Sequence, residues 1–440
     1  MSSWFGPVLR RPLRTSLAVL FMALAAMASP AFAQDGALDL SDGGDTAWVL
    51  GATLLGFLAT LPGLVLFTLP QARGRNYATY LYQCGAVALL ACLLWIVTGY
   101  TLAFGTVTHG WLGSGNAWML IELGNLRAGT GLPESAFVLC EMACAALAPT
   151  LVVGALIGRA NTAWLLVFTG LWSLVVYAPI AHWVWGGGWL AASVRVEDWG
   201  GGIVIETTAG LTALTLAAII GPRRQPTAAP VPLGALLSLL GAFFFLIGRT
   251  AQGGALALTA NDDAAAAMIA TFAAAASGGL TCVLLGHWGP RGSGLFQLGR
   301  GMIAGLAAIA PAAGLISPGA AIVLGILGAL AARAAAGIRR SGTIDDAGDV
   351  FALFATGGIV GTLALGLLLS PALGGVGYAA RTTMTGQVLA QAIGLAVCGV
   401  WTLFGTVVLA TMTSLVLPMR VSLEREQAGL DALSDPGPQG

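Results

Sequence analysis

The chain has 440 residues, of which 57% are hydrophobic and only 9% charged, and its 19 basic side chains balance 19 acidic ones. An ordinary soluble domain is about 25% charged, so this composition excludes a soluble globular protein and points to an all-α polytopic membrane protein. Zero net charge gives no reason to expect nucleic-acid binding. No nucleophile–base pair, metal-ligand cluster or phosphate loop suggests an enzyme, a metal or a cofactor.

Residues 1–33 read as a cleaved signal peptide, with Arg10, Arg11 and Arg14 as the basic region, Thr15 to Met27 as the apolar region and Ala31-Phe32-Ala33 as the cleavage motif. An uncleaved anchor is the alternative. The mature chain then starts at Gln34, on the periplasmic face of a bacterial inner membrane. Eleven apolar segments follow, over about 47–69, 77–104, 136–157, 162–185, 200–221, 231–249, 264–287, 297–314, 317–337, 349–371 and 384–418, most of them near the ~20 residues needed to cross a bilayer.

Charge placement orients them. With the amino end outside, the inner loops hold Arg73, Arg75, Arg159, Arg223, Arg224, Arg291, Arg300, Arg333, Arg339 and Arg340, and the tail adds Arg420 and Arg425. The outer side holds Arg127, Arg195, Arg249 and Arg381. That asymmetry follows the positive-inside rule and predicts a transporter domain over 34–419 and a cytoplasmic tail over 420–440. The six cysteines fall in apolar runs and read as small buried hydrophobes.

Asp198-Trp199-Gly200-Gly201-Gly202 opens the fifth segment, and Glu206 follows Asp198 by eight residues; Asp346 precedes Phe354 by the same interval in the tenth. Five segments per half would set two halves in opposite orientations, as in inverted-repeat transporters. Asp198, Asp346 and Asp349 read as helix-start caps, the latter two also as partners of Arg339 or Arg340. Glu206 and Glu141 lie deep inside apolar segments, where a carboxylate costs ~3 kcal/mol unless paired or neutralised. Either Glu206 handles a cation or proton, or it is buried against Arg249. Aromatic side chains such as Trp185, Phe245 and Phe354 are packing groups or faces for an alkylammonium. His182 reads as a hydrogen-bonded helix-end residue.

Several motifs, in this order, resemble the ammonium transporter family (Amt/Mep/Rh) from about Ala47 to Asp431. They are Tyr177-Ala-Pro-Ile-Ala-His-Trp-Val-Trp-Gly-Gly-Gly188, Asp198-Trp-Gly-Gly-Gly202, Asp345-Asp-Ala-Gly-Asp-Val-Phe351 with Gly357-Gly-Ile-Val-Gly361, and Arg420-Val-Ser-Leu-Glu-Arg-Glu-Gln-Ala-Gly-Leu-Asp431. The resemblance implies a homotrimer of eleven-helix protomers, each with its own pore for a small cation, often regulated by a P-II signalling protein. It also implies two facing pore histidines, whose positions here fall on Glu206 and Phe354. The only histidines are His109, His182 and His287, none of them in either segment.

The same resemblance puts Glu141 and Cys144 where the third segment carries a glutamine and a gating phenylalanine. It puts Phe245 at the second gating aromatic, Arg249 at a serine of the outer mouth and Trp185 at the mouth's tryptophan, with Asp198 and Trp199 as framework. Three expectations follow. Cys144 widens the pore and Phe354 faces Glu206, suiting a methylated or quaternary amine; or the chain conducts ammonium with Glu206 alone; or it is a non-conducting receptor. If Arg249 neutralises Glu141, Glu206 is left as the uncompensated acid of the pore.

Overall fold

Apolar helices account for most of the computed structural model, which describes residues 40–115, 118–121, 123–224, 232–286, 294–340 and 344–433. The expected signal peptide, His287 and Arg291 lie outside these residues. Among the described residues, ten helices are long and apolar enough to cross a membrane. They are α1 (Gly43–Ala72), α2 (Tyr77–Phe104), α3 (Glu134–Ala155), α4 (Thr162–Val184), α5 (Gly202–Ile220), α6 (Leu233–Ala255), α7 (Asp262–Leu284), α9 (Pro318–Gly337), α10 (Phe351–Leu368) and α11 (Met384–Val416). The shorter α8 (Gly294–Ile309) completes the eleven predicted apolar segments.

Short polar side chains set several starts. Asp42 accepts from the amides of Gly44 and Asp45 at α1, Asn161 from Ala163 and Trp164 at α4, and Thr383 from Gly386 at α11, each satisfying amides that the first helical turn leaves unpaired. Packing then runs through small residues. Gly63 of α1 lies against Gly241 and Phe245 of α6, while Gly56 lies against Gly248 and Gln252. Rising numbers on one helix meet falling numbers on the other, so α1 and α6, the first helices of the two halves, are antiparallel.

The duplication shows in the starts of α5 and α10. Asp198 Oδ2 accepts from the amide of Ile203 at 2.8 Å, and Asp346 Oδ2 from that of Phe351 at 2.7 Å, the same five-residue step. Each helix then opens with a π turn, Gly202–Thr207 and Phe351–Ala355, a local widening that often marks functional positions. Glu206 and Phe354 sit on these two turns.

The predicted placement of three arginines is corrected. Helix α6 continues to Ala255 rather than ending at 249, so Arg249 lies inside the helix and not at its outer end; Arg300 and Arg333, assigned to inner loops, belong to α8 and α9. Asp349 pairs with Arg300, both side chains being buried; the side chains of Arg339 and Arg340, the partners expected for Asp346 and Asp349, lie outside the described residues.

The carboxyl-terminal tail closes one face. Met419 O accepts from the amide of Asn161, and Arg159 O from that of Val421. Arg420 binds Glu426 at 2.9 Å and the carbonyls of Ile220 and Pro222, and Asp431 caps α2 through the amides of Ala78 and Thr79. On the same face, Asp345 takes Arg223 with both oxygens, at 2.7 and 2.9 Å, and Arg159 at 3.1 Å. Burial pushes the Asp345 carboxyl up, but Arg223 and Arg159 together hold it well below the usual carboxylate range.

Candidate functional site

Phe245, Arg249, Gln252 and Leu256 follow one another at spacings of four, three and four, which puts them on one face of α6 and its continuation. This face forms one wall of a column leading inward from an open vestibule.

Leu256 lines the vestibule, a cavity of ≈ 290 Å³ shared with Phe104, Phe137, Glu141, Trp185, Glu197, Asp198 and Trp199. Its walls are held from behind. Trp185 Nε1 donates to Asp198 O at 2.6 Å and Trp199 Nε1 to Gly253 O at 3.1 Å. The Asp198 carboxylate accepts four amides, from Gly201, Gly202, Ile203 and Val204, at 2.7–3.1 Å. Burial still raises its pKa, with those four bonds opposing. Burial, then the neighbouring Asp198, also raises Glu197. Glu141 is 4% exposed, and its Oε2 has no hydrogen-bond partner among the described residues.

One turn inward, Gln252 bridges two helices. Its Nε2 donates to Cys144 Sγ at 2.8 Å, and its Oε1 accepts from Arg249 Nη1 at 2.7 Å. Arg249 Nη2 donates to Gly200 O at 3.0 Å and to Glu206 Oε1 at 3.1 Å. The Glu206 side chain is 0% and that of Arg249 5% exposed. Beside Arg249 the remaining space is ≈ 10 Å³, no more than one water molecule. Below the pair, Phe245 and Phe354, both buried, meet edge to face with ring centroids 5.9 Å apart.

The geometry decides between two readings of Glu206 and revises two other expectations. Arg249 neutralises Glu206, as one of the two alternatives had it, and not Glu141, because the longer α6 carries the guanidinium inward to the level of the α5 π turn. Cys144 does not widen the path: the Gln252 amide and Arg249 fill the space that a smaller side chain would leave. Phe354 packs on Phe245 rather than completing an aromatic-plus-carboxylate site with a free Glu206. Glu141, Trp185, Asp198 and Trp199 do meet around the vestibule. His182 Nδ1 donates to Ala103 O at 2.9 Å, as a helix-end residue would. Gln252 and the Gly200 carbonyl were not singled out from the sequence; the apolar period of α6 carried past residue 249 would have pointed to Gln252.

The model of the Ammonium Transporter Family matches residues 47–434. The ammonium transporter Amt1 of Archaeoglobus fulgidus is 33% identical over 400 residues, covering 89% of this chain and 97% of its own. An ammonium transporter of Bacillus subtilis is 32% identical, covering 88% and 96%. Among solved structures, Saccharomyces cerevisiae Mep2 superposes with a TM-score of 0.80 at 27% identity, over 89% of this chain and 92% of its own. The chain belongs to the ammonium transporter family, whose members are membrane transporters and not enzymes.

Proposed function

We propose that this protein takes up ammonium from the vestibule and passes it along the α6 column when the Arg249–Glu206 pair opens. The observation carrying this reading is the stacking of an acid-lined mouth directly over a self-neutralised ion pair. Glu141, held with one oxygen unpartnered, attracts a cation, and Trp185 offers it an aromatic face, while the Phe104 and Phe137 rings of the same cavity carry the Arg127 guanidinium. The cavity beside Arg249 has room for a single water, and Glu206, Phe245 and Phe354 beyond it are fully buried, a closeness that suits a cation of ammonium size better than a bulkier amine. Glu206 and Phe354 stand where the family resemblance implies paired histidines, so proton handling follows a different route here.

Loop arginines such as Arg73, Arg75, Arg223 and Arg224 support a tail-side cytoplasmic face and a vestibule opening to the periplasm of a bacterial inner membrane, with residues 1–33 removed as a signal peptide. By family resemblance the unit is a homotrimer, and the tail face is where a P-II protein would dock.

A second reading is favoured by the completeness of the closure. With Glu206, Phe245 and Phe354 fully buried, the protein can bind ammonium at the vestibule and serve as a receptor without passing it. Proteoliposome currents evoked by ammonium and trimethylammonium, paired with ammonium binding by intrinsic fluorescence, test both. The transporter reading predicts saturable ammonium currents and none with trimethylammonium. Binding without current selects the receptor, and neither binding nor current overturns both.

A further inference from the structure

We propose that the Arg249 guanidinium is a tethered plug in a cation cradle, and that the emptied cradle binds free guanidinium. The proposal rests on reading the α6 column as a cation path, and it adds the identity of the group that blocks it.

The cradle offers only acceptors to the guanidinium. Gln252 Oε1, Gly200 O and Glu206 Oε1 come from three places in the chain, α6, the turn before α5 and the α5 π turn, and converge at 2.7–3.1 Å. Two of them, Gly200 O and Gln252 Oε1, are positioned by groups other than Arg249, and the backbone that carries Glu206 is too. The Asp198 carboxylate gathers the amides of Gly201 to Val204, and the Gly200 amide is held by Ala310 O at 2.8 Å, so the turn that presents Gly200 O and leads to Glu206 is fixed from behind. Cys144 takes the Gln252 amide nitrogen, which leaves the amide oxygen turned to the cation.

The fit to Arg249 itself is incomplete. Its contact with Glu206 is through Oε1 alone, and Glu206 Oε2, fully buried, has no hydrogen-bond partner among the described residues. A carboxylate and a guanidinium pair best with two parallel bonds. The side chain reaches the site from α6 and is held by its stem, whereas a free guanidinium can rotate to engage both oxygens while keeping Gly200 O and Gln252 Oε1. The site therefore selects a planar cation with several N–H donors over a spherical one without any.

The test is calorimetric titration of detergent-purified wild type and Arg249→Ala with guanidinium chloride and with tetramethylammonium chloride. The cradle predicts that Arg249→Ala binds guanidinium at least roughly tenfold more tightly than wild type, that tetramethylammonium does not bind there, and that adding Glu206→Gln abolishes the gain. Equal guanidinium affinity in wild type and Arg249→Ala overturns the proposal. Should Arg249→Ala fail to accumulate because Glu206 has lost its partner, millimolar guanidinium during solubilisation restores folded protein if the cradle accepts it, and absence of rescue also overturns it. Ammonium currents in the same variant separate the two ideas: guanidinium binding without current keeps the cradle and removes the transport reading. Current without guanidinium binding does the reverse.

Discussion

Arg249 Nη2 lies 3.1 Å from Glu206 Oε1, with both side chains almost wholly withdrawn from solvent. The pair joins α6 to the π turn of α5 and stands between an acidic vestibule and an aromatic stack. Its two charges cancel, which makes a carboxylate tolerable at this depth, and the guanidinium takes the space a passing cation needs.

Removing one partner of a buried ion pair leaves the other uncompensated, at a cost of about 3–5 kcal/mol, whereas replacing both by apolar groups is often neutral. Arg249→Met is expected to fall in that range, and Arg249→Met with Glu206→Met to recover most of the loss. Denaturation midpoints of the purified variants check this. Additive losses would mean that the two side chains do not act as a pair.

Glu141 has a different balance. Among the described residues its Oε2 makes no hydrogen bond, so Glu141→Gln removes a costly buried charge without breaking an ion pair. Thermal stability should hold or rise, while the ammonium concentration giving half-saturation increases roughly tenfold, equivalent to about 1.4 kcal/mol. Unchanged half-saturation would remove Glu141 from cation capture.

Asp198 acts on the fold of the mouth. Four amides converge on its carboxylate, and hydrogen bonds to a charged group contribute about 1.5–3 kcal/mol each. Asp198→Ala should therefore destabilise by more than about 3 kcal/mol, with Asp198→Asn less severe because one oxygen remains as an acceptor. Unfolding curves of the two variants supply the comparison, and near-wild-type stability of Asp198→Ala would contradict the capping role.

On the tail face, Arg223 and Arg159 depress the Asp345 carboxyl against the upward push of burial. A depressed carboxyl stabilises the folded state above its unfolded value of ~3.9, and that stabilisation is lost as pH falls through the lower folded value. The stability difference between wild type and Asp345→Asn should then stay constant from neutral pH down to about pH 5 and shrink only below the ordinary carboxylate range. A difference that vanishes already near pH 6 would contradict the assignment.

The spans were legible because eleven apolar runs separated by Arg- and Gly-containing turns leave few alternatives in a bilayer. The paired helix starts were legible too, since Asp198 and Asp346 carry the same local chemistry. The central contact was legible only as one of two alternatives, because a boundary obscured it. Ending α6 at residue 249 puts Arg249 at the mouth beside Glu141; the six further residues shift the mouth by about 9 Å along the helix and bring the guanidinium level with Glu206. An apolar run gives little warning of this, because Thr250, Gln252 and Gly253 look like the polar end of a span. Cys144 misled for a related reason: its small volume suggests space, and the group that fills it, Gln252, lies in the stretch read as a loop.

Ammonium-evoked current per reconstituted protein, compared between wild type and the charge-neutral Arg249→Ala/Glu206→Gln double variant, tests most directly whether this pair closes the path. The account predicts that the double variant, folded because neither charge is left alone, passes at least roughly tenfold more current than wild type, a barrier change of about 1.4 kcal/mol. A folded double variant whose current does not exceed that of wild type would contradict it.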